Sequence, residues 1–247
     1  MVKDSILSYL RRHACHHIGL KAVLFDMDGV LFNSMHYHAQ AWVTVMRSHG
    51  FDFTPEEAYM HEGRTGMSTI NLIYRRQYGC DAPAGLVDSL YEEKCAVFAS
   101  FPEPEPMPGA LQLLQQLKAG GIQPVLVTGS GQHSLFRRLD HFFPGMFSRP
   151  YMVTAYDVKQ GKPNPEPYLM GLTKADVQPW EAMVVENAPL GVQAGVAAGI
   201  FTVAVNTGPL PDKVLLESGA DLLFSSMQDL CDRWQDLHQM FSSITIV

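Results

Sequence analysis

The sequence predicts an α/β protein built on a doubly wound parallel sheet, with a block of helices inserted after its first strand. Three observations predict it. From residue 122 onward, short apolar runs alternate with helical patterns, as repeated βα units require. Between residues 33 and 100 no strand-like run occurs, and apolar residues recur at helical spacing. The first, second and fourth strands end in polar residues at the C-terminal edge, where open α/β sheets bind ligands.

Taken in order, residues 4–12 read as a short amphipathic helix and lack the unbroken apolar core of a signal peptide. His13, His16 and His17 follow in what reads as a solvated linker, because nothing nearby completes a ligand set. Ala22 to Phe25 is a strand buried on both faces. It runs into Asp26 and Asp28, and Gly29 then lets the backbone turn or approach a ligand. Two carboxylates so placed must be hydrogen-bonded, hold a cation or share a proton. A helix cap alone would not call for Asp-x-Asp at the end of a buried strand.

Asn33 or Ser34 can cap the next helix, in which Ala39, Trp42, Val43 and Met46 recur at three- and four-residue spacing. Thr54-Pro55-Glu56-Glu57 starts another, and residues 68–77 and 85–99 give two more. Residues 101–109, rich in Pro, form a stiff extended return. A helix over 110–119 stops at Gly120-Gly121. Strands are then expected at 122–128, 151–155, 181–186, 201–205 and 221–224. Helices are expected at 134–142 and 190–198, with one more at the C-terminus.

Bulk properties narrow the function. The 247 residues are 47% apolar and 17% charged, the balance of a globular chain. A net charge of −7 argues against a non-specific nucleic-acid surface. It also means that an anionic substrate must be drawn in by a local cation, a first hint of a metal. Cys15, Cys80, Cys95 and Cys231 are scattered, which fits a reduced, cytoplasmic protein. No apolar run approaches the ~20 residues of a membrane span. The expectation is a monomer with neither nucleic acid nor membrane as partner.

The polar strand ends carry the chemistry. Asp26 and Asp28 follow the first strand, Thr128 and Gly129 the second, and Glu186 with Asn187 the fourth. Lys162 is presented by the rigid loop Gly161-Lys162-Pro163-Asn164-Pro165. This inventory suits phosphoryl transfer through a covalent aspartyl phosphate. A phosphoryl dianion approaches a carboxylate only when their repulsion is cancelled. Mg²⁺ does so with oxygen ligands that Asp26, Glu186 and Asn187 can supply. Lys162 and the Thr128 loop would orient the equatorial oxygens. Asp28 can protonate the leaving oxygen and then activate water.

These residues bring a resemblance into view. Asp26-Met-Asp28-Gly29-Val30, Thr128-Gly129, Lys162-Pro163 and Glu186-Asn187-Ala-Pro-Leu-Gly191 resemble, in order, the four motifs of the haloacid dehalogenase-type phosphatase superfamily. The inserted helices and Ala194-Gly-Val-Ala-Ala-Gly199 resemble its β-phosphoglucomutase-like branch. The resemblance implies a Rossmann-like core over 19–33 and 104–247 and a mobile helical cap over 34–103. It implies Asp26 as nucleophile, and Asp28 as acid/base with its backbone carbonyl on Mg²⁺. Thr128, Gly129 and Lys162 would be phosphate binders, and Glu186 and the residue after it metal ligands.

Two departures from that pattern stand out. The last motif usually reads Glu-Asp, so Asn187 removes one negative charge from the metal site. In the cap, Glu62 of His61-Glu62-Gly63-Arg64 stands where the mutases carry a Lys. Glu62 is therefore expected as an extra Mg²⁺ ligand that replaces the missing charge, the alternative being a solvated helix-end acid. Such a cap resembles an inorganic pyrophosphatase lineage of the same branch and favours a small substrate, inorganic pyrophosphate first. The other readings are β-phosphoglucomutase, a sugar-phosphate or phosphoglycolate-type phosphatase, and a non-catalytic regulator. Arg64 is expected to contact an anion. His38 falls where the mutases have a His that gates Asp28, an ordinary surface His being the alternative. His36 and His38, two apart on a helix, do not share a face.

Overall fold

The computed structural model describes residues 2–130 and 135–246. Six strands form its centre: β1 (Ala22–Phe25), β2 (Gln123–Val127), β3 (Met152–Val153), β4 (Ala182–Glu186), β5 (Phe201–Val205) and β6 (Leu222–Phe224). Their order is β3-β2-β1-β4-β5-β6, and all neighbouring pairs are parallel. The doubly wound sheet is therefore as expected, and the order reverses at β1. That places the end of β1, with Asp26, at the switch point where such sheets open a crevice.

The chain begins with α1 (Val2–His13), and the inserted block holds α2 (Met35–Ser48), α3 (Pro55–Met60), α4 (Gly66–Tyr78) and α5 (Ala84–Ala99). After the return come α6 (Ala110–Ala119), α7 (Leu135–Phe142), α8 (Glu166–Ala175), α9 (Pro189–Ala197), α10 (Asp212–Glu217), α11 (Met227–Asp232) and α12 (Trp234–Ser243). Side chains of β1 alternate between the two faces of the sheet. Val23 and Phe25 join the cluster under α1, α6, α11 and α12, and Ala22 and Leu24 join the one under α8 and α9. The inserted helices bury their own cluster, including Phe51, Phe53, Ile70, Ile73 and Leu90. No helix is long and apolar enough to cross a membrane among the described residues.

Helix α1 docks on the core through Ile6, Tyr9 and Leu10. Tyr9 stacks edge-on against Phe201, and its hydroxyl donates to the carbonyl of Gly199 at 2.8 Å. The linker after it is tied to the C-terminus, since Ile246 N donates to the carbonyl of His16. The expected start at Thr54 is a complete capping box: the Thr54 side chain accepts from Glu57 N, and Glu57 reaches back to Thr54 N.

Four expectations need correction. Ser34 occupies the cap position of α2 without a side-chain capping bond; its hydroxyl is drawn to Asp28 instead. The strand expected over 151–155 keeps two residues, because Tyr151 is in a 3-10 turn and Thr154 bonds the Asp157 side chain. The last helix divides at Arg233 into α11 and α12. Helix α8, like the short α10, lies where no helix was expected. Its prolines sit at the cap and in the first turn, where a missing N–H costs nothing. Gly131 and Ser134, expected in the loop after β2 and at the next helix start, lie outside the described residues.

Candidate active site

The sheet's C-terminal edge gathers the polar residues as local strand geometry dictates. Asp26 follows the last residue of β1 and keeps a ladder bond from its N–H to Val185 O. Lys162 reaches up from its loop, almost fully buried, and donates to Asp26 Oδ1 at 2.5 Å, Glu186 Oε1 at 2.6 Å and Val127 O at 3.1 Å. Those three acceptors use all three of its protons. Desolvation works against the ammonium, but Asp26 and Glu186 outweigh it and hold the lysine protonated. For Asp26, burial raises proton affinity, Lys162 lowers it, and Glu186 and Asp28 raise it again.

Glu186 is fixed from every side. Oε1 accepts from Lys162 and from the Tyr168 hydroxyl at 2.8 Å; Oε2 accepts from Asn187 N at 3.0 Å and Ala188 N at 3.3 Å. Gly191 is required beside it, because a Cβ there would fall 1.8 Å from Oε1. Tyr168, on α8, was not anticipated. Burial first, then Glu186 and Asp26, raise its proton affinity, so it remains a donor.

The second carboxylate has a different environment. Asp28 Oδ1 accepts from Ser34 Oγ at 2.6 Å and faces His38 Nε2 at 3.2 Å. On its other side, His38 Nδ1 lies 2.7 Å from Lys94 Nζ. An ammonium can only donate, so Nδ1 accepts and Nε2 carries the ring proton that goes to Asp28. Burial alone would raise the Asp28 carboxyl, but His38, Ser34 and Lys94 bring it down to about 2. The environment of Lys94 is apolar, between Trp42 and Phe98, and burial pushes its ammonium down to about 8. His38 is lowered by burial and then by Lys94.

The inserted helices close over this edge. Glu62 is brought against Asn187, whose Nδ2 lies 3.2 Å from Oε2 and 3.4 Å from Oε1. Burial, then Asp26, Glu186 and Asp28, raise the Glu62 carboxyl well above the usual range. The solvated alternative for Glu62 does not describe this position. The cap loop approaches closely because glycines line the seam. A Cβ on Gly129 would lie 3.0 Å from Gly63 O, and one on Gly161 would lie 2.9 Å from Thr65 Cγ2. Gly63 itself has φ +85°, a left-handed conformation that favours glycine.

Between cap and sheet lies a cavity of about 80 Å³ lined by Asp26, Asp28, Glu62, Arg64, Thr128 and Lys94, among others. Arg64 is held by Ser68 Oγ at 3.4 Å, while its buried Nε has no hydrogen-bond partner. Thr128 accepts from Ser130 N at 3.0 Å and is buried at the cavity wall.

A hard divalent cation fits these residues. Asn187 Oδ1 is buried without a hydrogen-bond partner, and the carboxylates around it raise one another's proton affinity, as groups sharing an unbalanced negative field do. Among the described residues no three His, Cys, Asp or Glu side chains form a preformed metal cluster. An amide oxygen beside carboxylates is a donor set that oxygen-seeking cations accept.

Carboxylates facing a buried lysine at the switch point of a doubly wound sheet, under an inserted helical cap, mark an enzyme of the phosphatase and phosphomutase class. The chain belongs to the haloacid dehalogenase-like hydrolase family, whose model matches residues 20–199. It is 34% identical over 212 residues to hexitol phosphatase A of Escherichia coli, covering 85% of this chain and 93% of that protein. With validoxylamine A 7'-phosphate phosphatase of Streptomyces hygroscopicus it shares 31% over 193 residues, 76% of this chain and 86% of the relative. A solved structure from Bacteroides vulgatus, provisionally assigned as a beta-phosphoglucomutase, is 55% identical. It superposes with a TM-score of 0.96 over 98% of each chain.

Proposed function

We propose that this enzyme hydrolyses a small phosphate substrate through an aspartyl phosphate on Asp26, with inorganic pyrophosphate as the preferred substrate. The observation that carries the reading is Glu62, a cap carboxylate set against Asn187 at the sheet's edge. Mg²⁺ would be held by the Asp26 carboxylate, the Asp28 carbonyl, Asn187 Oδ1 and Glu62; Glu186, expected as a ligand, instead balances its charge, because each of its oxygens already accepts two hydrogen bonds. When bound it supplies electrostatic stabilisation of the phosphoryl oxygens.

The chain's own residues perform the rest. Lys162, on giving up one of its present acceptors, and the Thr128-Gly129 turn orient the phosphoryl group, and Arg64 meets the distal phosphate. Asp26 attacks phosphorus, forming an acyl phosphate as the bridging P–O bond breaks and the second phosphate departs as an anion. Water then attacks the acyl phosphate and gives a proton to Asp28, and the bond to Asp26 breaks to release phosphate.

The state of Asp28 supports a phosphate as leaving group. His38, Ser34 and Lys94 hold it ionised, so it has no proton ready to give to a leaving oxygen. A sugar oxygen leaves only with a proton, which this carboxylate would first have to acquire.

A second reading, β-phosphoglucomutase, rests on the 55% identity to the Bacteroides vulgatus protein. The phosphatase relatives favour a third, a sugar-phosphate phosphatase. Phosphate release and glucose 6-phosphate formation, measured with pyrophosphate, β-glucose 1-phosphate and small phosphoesters, separate the three. A kcat/KM preference for pyrophosphate without isomerisation is expected. Efficient glucose 6-phosphate formation would overturn the proposal. The free, scattered cysteines support a reducing compartment such as the cytoplasm.

A further inference from the structure

Arg138 is a buried cation that the chemistry above does not use. It lies on α7, in the core, with only 8% of its surface exposed. Its Nε has no hydrogen-bond partner, and the carboxylate it faces, Glu103, stands 3.6 Å away and is itself well exposed. A guanidinium so placed is costly unless something else compensates it. Two aromatic rings do. Its Cζ lies 5.7 Å from the ring centre of Phe32 and 5.9 Å from that of Phe98, both within cation–π reach.

The two rings belong to different parts of the molecule. Phe32 lies on the outgoing linker and is anchored in the core by edge contacts to Phe142 and Phe143. Phe98 lies in the last turn of α5, in the cap. On Phe98 stacks the imidazole of His38, with centroids 4.1 Å apart and planes 19° from parallel. The cap's aromatic pair is thus held by the core at both ends, with Asp28 at His38 Nε2 and Arg138 at Phe98.

We propose that Arg138 is a positioning residue: by clasping Phe98 it holds His38 in register with Asp28, so that Asp28 is aligned to activate water only under the closed cap. The inference rests on the aspartyl-phosphate reading and goes beyond it. Withdrawing the cap would take Phe98 from the guanidinium and the imidazole from Asp28 together. Arg138 touches no reacting atom and acts through the stack. Its loss therefore slows hydrolysis of the aspartyl phosphate and leaves its formation intact.

The test is steady-state and rapid-quench kinetics with Mg²⁺ and pyrophosphate on the full chain, comparing wild type, Arg138→Met, Phe98→Leu and the double variant. In Arg138→Met, kcat is expected to fall about tenfold with KM falling in step, so that kcat/KM stays within about twofold. The quenched fraction of phosphoenzyme rises. Phe98→Leu repeats this pattern, and the double variant is no slower than either single one, because both act through one stack. Arg138→Lys, which keeps the charge and loses the planar face, falls between and serves if Arg138→Met folds poorly. A parallel loss of kcat and kcat/KM, an unchanged phosphoenzyme fraction, or multiplicative effects in the double variant would each overturn the proposal. If wild type forms no acid-stable phosphoenzyme at all, the aspartyl-phosphate reading fails first, and the two failures are thereby told apart.

Discussion

Asn187 Nδ2 stands 3.2 Å from Glu62 Oε2, joining the end of β4 to the cap across 125 positions of sequence. The amide thereby offers its nitrogen to the cap and leaves Oδ1 buried without a partner. A carboxylate at 187 would set two negative groups face to face. Removing the charge at Glu62 tests the pairing directly. Glu62→Gln is expected to raise the Mg²⁺ concentration for half-maximal activity about tenfold and to cut pyrophosphate turnover more than that of phosphoesters. An unchanged metal-activation curve would remove Glu62 from the metal site.

Asp26→Asn deletes the attacking oxygen and keeps the side chain's shape. Turnover is expected to fall by more than about a thousandfold with every substrate. Acid-quenched protein from labelled substrate should then carry no phosphate, and label retained elsewhere in the chain would reassign the nucleophile.

Lys94 gives a pH dependence whose two readouts move in opposite directions. Its ammonium titrates at about 8 in the folded protein, below the ordinary lysine value of 10.5. The unfolded chain therefore binds more protons between those values, and stability rises with pH across that window. The shift corresponds to about 3 kcal/mol of burial cost at neutral pH. Activity falls over the same range, because a neutral amine no longer fixes His38 Nδ1 as an acceptor. Lys94→Met should be more stable at pH 7 and lose kcat, and its Tm should lack the rise above pH 8. A Tm–pH profile identical to wild type would disprove the assignment.

The glycine seam predicts a steric lock with a matched key. A Cβ at 161 would fall 2.9 Å from Thr65 Cγ2. Thr65 cannot simply rotate away, because its Oγ1 accepts from Ser68 N and caps α4. Gly161→Ala is expected to lower kcat/KM about tenfold with little change in Tm. Adding Thr65→Ser, which removes only the offending methyl, should restore most of it. A double variant no better than Gly161→Ala would place the defect elsewhere.

The residues at strand ends were legible because short-range rules place them: a buried run ends, and the residues just beyond it must face the crevice. Asp26, Asp28, Thr128, Glu186 and Asn187 all belong to this kind. Lys94 and Tyr168 do not. Lys94 sits in Glu92-Glu93-Lys94, which reads as a solvated face, and its partner is 56 positions away. One local signal exists, since Val87, Leu90, Lys94 and Phe98 form a buried stripe at helical spacing with a lysine inside it. Tyr168 was hidden by prolines that made its helix look like loop. The two-residue β3 and the diversion of Ser34 from its cap depend on tertiary partners, and no window of local sequence contains them.

The fixed surroundings of Glu186 bear on how the site holds a buried charge. In water, dipoles must turn whenever a charge forms or moves, and that turning costs free energy. Here two backbone N–H groups, the Tyr168 hydroxyl and the Lys162 ammonium already point at the Glu186 carboxylate. Glu186 thus carries a solvation shell built into the fold, so the cost of orienting dipoles around that one buried charge is met during folding and not afresh in the folded protein.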